Sequence, residues 1–145
     1  MIKRVAREDA VLYPLPGRDW HTYIGPENVP TERVSMGVSV FPPGSRPVGH
    51  VHDSQEETIY CASGRGRIVT SDGIAEVEPG VTVWVSVGTI HATESDGPDP
   101  LELVCFFSPP VVPGSYEKAE QAAALPLGAT VGSNWGRPES RRDPG

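Results

Sequence analysis

Residues 49–64 read GHVHDSQEETIYCASG, and the spacing of side chains in this stretch decides how the chain folds. His50 and His52 stand two apart, so on an extended strand both leave the backbone on one face, about 7 Å apart at Cα. One ion can lie between two imidazoles so placed. After the turn-forming DSQ, Glu57 opens the run ETIYCA, in which Ile59 and Cys61 share its face and Tyr60 points the other way. Glu56 has the opposite parity and reads as a solvated carboxylate. Further on, His91 begins HATES behind the turn SVGT, and Thr93 shares its face. Imidazole and carboxylate together suit Fe, Mn, Ni, Zn or Cu, and the lack of a neighbouring thiolate argues against a closed structural zinc site. The plain alternative for an isolated H-x-H is a pair of solvated histidines on a surface loop.

Working outward, short runs of strand character alternate with turn chemistry. RVSMGVSVF (residues 33–41) sets Val34, Met36, Val38 and Val40 against Arg33, Ser35, Gly37 and Ser39, a half-buried strand with the apolar set as its core face. PPGSRP, SGRG, SDG, EPG, SVGT and DGPDP then separate GHVH, ETIYCA, GRIVT, IAEVE, VTVWVSV, IHATES and LELVCFFS. About eight strands without intervening helices predict an all-β barrel or sandwich, and the double Greek-key jelly roll closes that strand count without leaving long open edges.

Three segments follow: an irregular N-terminal arm over residues 1–32, whose Pro and Gly leave only short extended pieces; a barrel over 33–110; and a C-terminal part over 111–145. In the last, YEKAEQAAA reads as a short helix (residues 116–124) followed by an aperiodic tail. The arm is expected to wrap the barrel or a partner subunit. His21 within it is either a surface histidine or an acid or base folded over the barrel mouth. Trp84 and Trp135 are expected to pack.

Gly44-x5-His50-x-His52-x4-Glu57-x6-Gly64 resembles the first motif of the cupin superfamily, and Gly80-x5-Ser86-x-Gly88-x2-His91-x3-Ser95 resembles the second. Ser86 departs from the usual proline and Ser95 from the frequent asparagine. Within residues 34–108 the resemblance implies a small single-domain cupin, a double-stranded β-helix barrel in which His50, His52, Glu57 and His91 hold one divalent transition metal ion. It also implies a homodimer. The outward Tyr60 and the Pro-rich arm, which would expose apolar surface, point the same way.

Composition removes other classes. A net charge of −7 without a basic stripe excludes a nucleic-acid partner. No window approaches a membrane span, and MIKRVAREDAVLYPL has no apolar run of signal-peptide length, so the expected location is cytoplasmic. Cys61 and Cys105 read as reduced core thiols. What remains is a metal-dependent enzyme acting on a small, oxygen-chelating substrate, either a dioxygenase or a non-redox isomerase, lyase or cyclase. The other reading is a non-catalytic ligand-binding module. Glu57 is the candidate catalytic base, and Arg46, Ile59, Cys61, Thr93 and Phe107 are candidate substrate contacts in a largely apolar cavity.

Overall fold

The computed structural model describes residues 1–111, and within them nine strands carry the architecture. They are β1 (Val11–Leu15), β2 (Arg18–Ile24), β3 (Ser35–Phe41), β4 (Glu56–Ser63), β5 (Gly66–Thr70), β6 (Ile74–Val77), β7 (Thr82–Val85), β8 (His91–Ser95) and β9 (Leu101–Ser108). The helix expected over 116–124, the tail after it and Trp135 lie outside the described residues.

A six-stranded sheet runs in the order β1-β2-β3-β9-β4-β7, and a three-stranded sheet in the order β6-β5-β8. Every pairing within them is antiparallel. The two sheets form the faces of a jelly-roll barrel, and the core lies between them. Alternation on β4 and β9 follows the sequence closely: Glu57, Ile59 and Cys61 are buried, as are Leu101, Leu103, Cys105 and Phe107, while Glu56 and Tyr60 are exposed. Facing them from the small sheet are Ile68 and Val77. Both cysteines are buried and unbridged.

Four expectations need correction. The arm is irregular only at its two ends. Between them β1 and β2 make a hairpin that extends the large sheet beyond β3, because Arg18, Trp20 and Thr22 alternate with Asp19, His21 and Tyr23 and present Trp20 to the core. On β3 the parity is reversed: Ser35, Gly37, Ser39 and Phe41 are buried, whereas Met36, Val38 and Val40 lie half-buried on the outer face. The Trp20 ring takes the interior space over Gly37, where an added Cβ would overlap both the ring and the His21 carbonyl. The indole stays in place by donating from Nε1 to Thr22 Oγ1 at 2.8 Å.

Third, GHVH is not a strand. Pro47 removes a ladder donor just before it, and only His50 pairs, through an isolated two-bond bridge to His91. Trp84 likewise does not pack into the core, since it stands 59% exposed on the outer face of β7.

Candidate metal centre

His91 opens β8, and the turn before it is closed by side chains as well as backbone. The hydroxyls of Ser86 and Thr89 share a hydrogen bond of 2.7 Å, and the Thr89 amide donates to the Ser86 carbonyl at 3.2 Å. Serine at position 86 therefore secures this turn by hydrogen bonding where a proline would do so by restricting its backbone. Gly88 supplies the left-handed residue, with φ of 75°, and its amide donates to the His52 carbonyl at 2.9 Å. His50 and His91 exchange amide-to-carbonyl bonds of 2.8 and 2.9 Å. Three backbone hydrogen bonds thus hold the two-histidine segment against the entry to β8, although that segment is too short to be a strand.

Glu57 reaches the same point from β4 in the opposite sheet. Its Oε2 lies 2.9 Å from His91 Nε2 and 3.3 Å from His52 Nε2. The imidazole ring centroids of His50 are 4.3 Å from those of His91 and 4.8 Å from those of His52. One ligand-type atom from each of the four residues falls within 4.8 Å of the other three. Glu57, His52 and His91 are buried, and His50 is partly so. His91 Nδ1 donates to the Thr89 carbonyl at 2.9 Å, so its Nε2 is the nitrogen left to serve as a ligand. Phe107 packs edge-on against His52 with ring centroids 4.8 Å apart and closes off one side of the cluster.

Burial pushes the Glu57 carboxyl up, yet the imidazoles of His52 and His91 outweigh it and hold the group below the usual carboxylate range. For His91 burial works against the charged form, but the Glu57 carboxylate more than compensates and raises it. His50 goes the other way: burial, reinforced by His91, lowers it well below an ordinary histidine. Glu57 is thus ionised near neutral pH and His50 is neutral. These are the forms in which carboxylate and imidazole bind metals. Three nitrogens and one carboxylate oxygen converging in a buried pocket fit a divalent transition ion, and the cluster could hold one.

The cavity beside the cluster is a small recess that opens to solvent at its mouth. Of the expected substrate contacts, Ile59, Thr93 and Phe107 line it. Arg46 does not: it is half exposed, and its guanidinium pairs with Glu94 and with Asp96 at 3.7 Å. Pro47 and Gly49 break the strand parity that would have turned it inward. Cys61 is also absent from the wall; it is fully buried, with its thiol toward the Ser63 and Gly64 carbonyls at 3.6 and 3.7 Å. Cys105, one strand away, lines the cavity instead. His21 does not line it either. Residues 1–32 supply three wall residues that sequence reasoning missed, Leu15, Arg18 and Trp20, and β3 adds Ser39 and Phe41. The signal for Arg18 and Trp20 was the period-two alternation of RDWHTY, masked by the Pro and Gly on either side.

An antiparallel jelly-roll barrel with an inward three-histidine, one-glutamate cluster defines a class of small barrel whose interior could hold a metal ion. The model of the cupin domain family matches residues 37–107. An uncharacterized protein of Methanocaldococcus jannaschii, MJ1618, is 33% identical over 86 residues, covering 59% of this chain and 66% of that one. L-ectoine synthase of Bordetella petrii is 32% identical over 94 residues, covering 63% of this chain and 68% of that one. The chain therefore spans about two thirds of the length of these curated relatives. Among solved structures, the polyketide cyclase RemF from Streptomyces resistomycificus superposes with a TM-score of 0.63 at 21% identity, covering 83% of this chain and 94% of that one. The chain belongs to the cupin superfamily, and its barrel is the double-stranded β-helix of that family. No helix among the described residues is long and apolar enough to cross a membrane.

Proposed function

We propose that this protein is a metal-dependent enzyme of non-redox type, an isomerase, lyase or cyclase, acting on a small substrate that chelates through oxygen. The observation that carries the reading is Glu57: a buried carboxylate placed among three imidazoles at the wall of an apolar cavity. His50, His52 and His91 with Glu57 would hold the ion. When bound, it supplies Lewis-acid polarisation of a substrate oxygen. Ile59, Leu103 and Phe107 exclude water, and Thr93 and Ser39 offer hydroxyls for orientation. Glu57, ionised and aimed into the cavity, accepts a proton from carbon or hydroxyl, and the low-dielectric wall strengthens that interaction. The non-redox class is favoured by the likeness to L-ectoine synthase and by the polyketide cyclase RemF having the same fold.

The same reading includes a pair of chains. Trp84, Tyr60 and Phe106 are 59%, 43% and 41% exposed on the outer face of the large sheet, an apolar surface that a second copy would cover.

Elemental analysis of protein isolated without added metal should give close to one transition ion per chain, and His52→Ala should lose most of it. Glu57→Gln keeps size and an oxygen donor while removing basicity. It should retain a substantial part of the metal but lose about two to four orders of magnitude in turnover. Dioxygen consumption coupled to turnover would assign a dioxygenase instead, and a fully metallated protein inert toward a panel of enols, catechols and hydroxy acids would assign a binding module.

A further inference from the structure

Arg18 stands on the cavity wall although no sequence motif points to it. It is the first residue of β2 and pairs with Leu15 across the two-residue turn Pro16-Gly17. Leu15, Arg18 and Trp20 all face the cavity, so the hairpin enters the site as a unit. Its tip is fixed. Gly17 takes a φ of 77° and its carbonyl accepts a hydrogen bond from Ser45 Oγ, while Pro47 packs so closely that a Cβ at position 17 would collide with it. A guanidinium on such a turn is held in place rather than carried on a loose loop.

Charge gives this position its meaning. Among the described residues that line the cavity, Arg18 and Glu57 are the Arg/Lys and Asp/Glu side chains, and His50 and His91 are the imidazoles beside them. A divalent ion held by three neutral imidazoles and one carboxylate leaves one positive charge, and Arg18 adds a second. Arg18 shares the cavity wall with His50, Glu57 and His91. With an ion bound, the cavity would carry two positive charges and favour an anion over a neutral guest.

We infer that Arg18 is a substrate-binding residue that pairs with a carboxylate. The substrate class is then a small organic acid whose carboxylate meets the guanidinium while an oxygen of the same molecule reaches the metal position. Hydroxy, oxo and β-dicarbonyl acids have this form. The inference rests on the metal reading given under Proposed function, and it adds a residue and a charge requirement that reading does not contain. Arg46, which sequence parity suggested for such a role, is tied to Glu94 and Asp96 outside the cavity.

The test uses two chelators of similar size, malonate, which carries carboxylates, and acetylacetone, which carries none. Wild type, Arg18→Gln and Arg18→Lys are loaded with Zn2+, their metal content is measured, and each is titrated by calorimetry. Arg18→Gln should keep its zinc and weaken malonate about ten- to a hundredfold, the range of a charge-assisted pair, with acetylacetone changed less than about threefold. Arg18→Lys should fall between, having the charge without the fork. Equal weakening of both chelators, or of neither, overturns the inference. If wild type takes no zinc, the metal reading has failed, and Arg18 is judged on metal-free protein: malonate should raise the melting temperature of wild type and not of Arg18→Gln. The same rise in both would overturn the anion role.

Discussion

Gly37 shows how one small side chain sets the interior. Trp20 can turn into the barrel because the neighbouring strand presents no Cβ at this position, and the apolar side chains of β3 go to the outer face as a result. Gly37→Ala should therefore lower stability by about 1–3 kcal/mol through overpacking, read as a lower denaturant midpoint with an unchanged slope. A variant as stable as wild type would mean that Trp20 moves without cost. The four clustered residues were legible one by one, since period-two parity puts Glu57 in and Glu56 out, and His50 and His52 have fixed spacing. Arg18 and the reversed β3 were not legible. Both depend on Trp20, and nothing local to VSMGVSV says that an indole from another strand fills the space over its glycine.

Among the elements, the β1–β2 hairpin is the one whose role differs most from its sequence character. Pro14, Pro16 and Gly17 read as breakers, yet Pro14 sits in β1, the edge strand of the six-stranded sheet, where a missing amide donor costs little, and Gly17 makes the turn. Because β2 buries Trp20 and covers the edge of β3, deletion of residues 1–24 should abolish the cooperative unfolding transition and leave insoluble chain. A wrapping arm would allow a soluble, metal-binding remainder, and recovery of that species would refute the structural role. GHVH errs in the other direction. Its alternation looks like a strand, but Pro47 and Gly49 restrict it to a bridge, and backbone bonds with His91 and Gly88 of the same chain do the positioning that a ladder would have done.

At the scale of the whole molecule, the outer surface of the six-stranded sheet carries Trp84 on β7, Tyr60 and Thr58 on β4 and Phe106 on β9 in adjoining register, with Trp84 beside Thr58 and Thr58 beside Phe106. A pair of chains joined there should sediment as a dimer at micromolar concentration, and Trp84→Glu combined with Phe106→Glu should yield monomer that keeps its metal. Wild type sedimenting only as monomer would remove the pair. That the barrel is closed and all-β was readable from turn spacing, whereas which face is left apolar depends on strand order, and strand order is not written in any single segment.

That order has a consequence for how the chain is made. β9 lies between β3 and β4, so Ser35 pairs with Phe107 and Phe41 with Leu101, contacts that span more than half of the described residues. Until residue 108 has left the ribosome, β3 lacks its inner neighbour, β4 can pair only with β7, and Phe107 is not there to close off His52. Barrel closure is consequently a late, non-local event, slow compared with hairpin formation. During synthesis the β1–β2–β3 meander can form first, with Trp20 uncovered, and the wall that Phe107 supplies beside the four-residue cluster comes into existence only with β9.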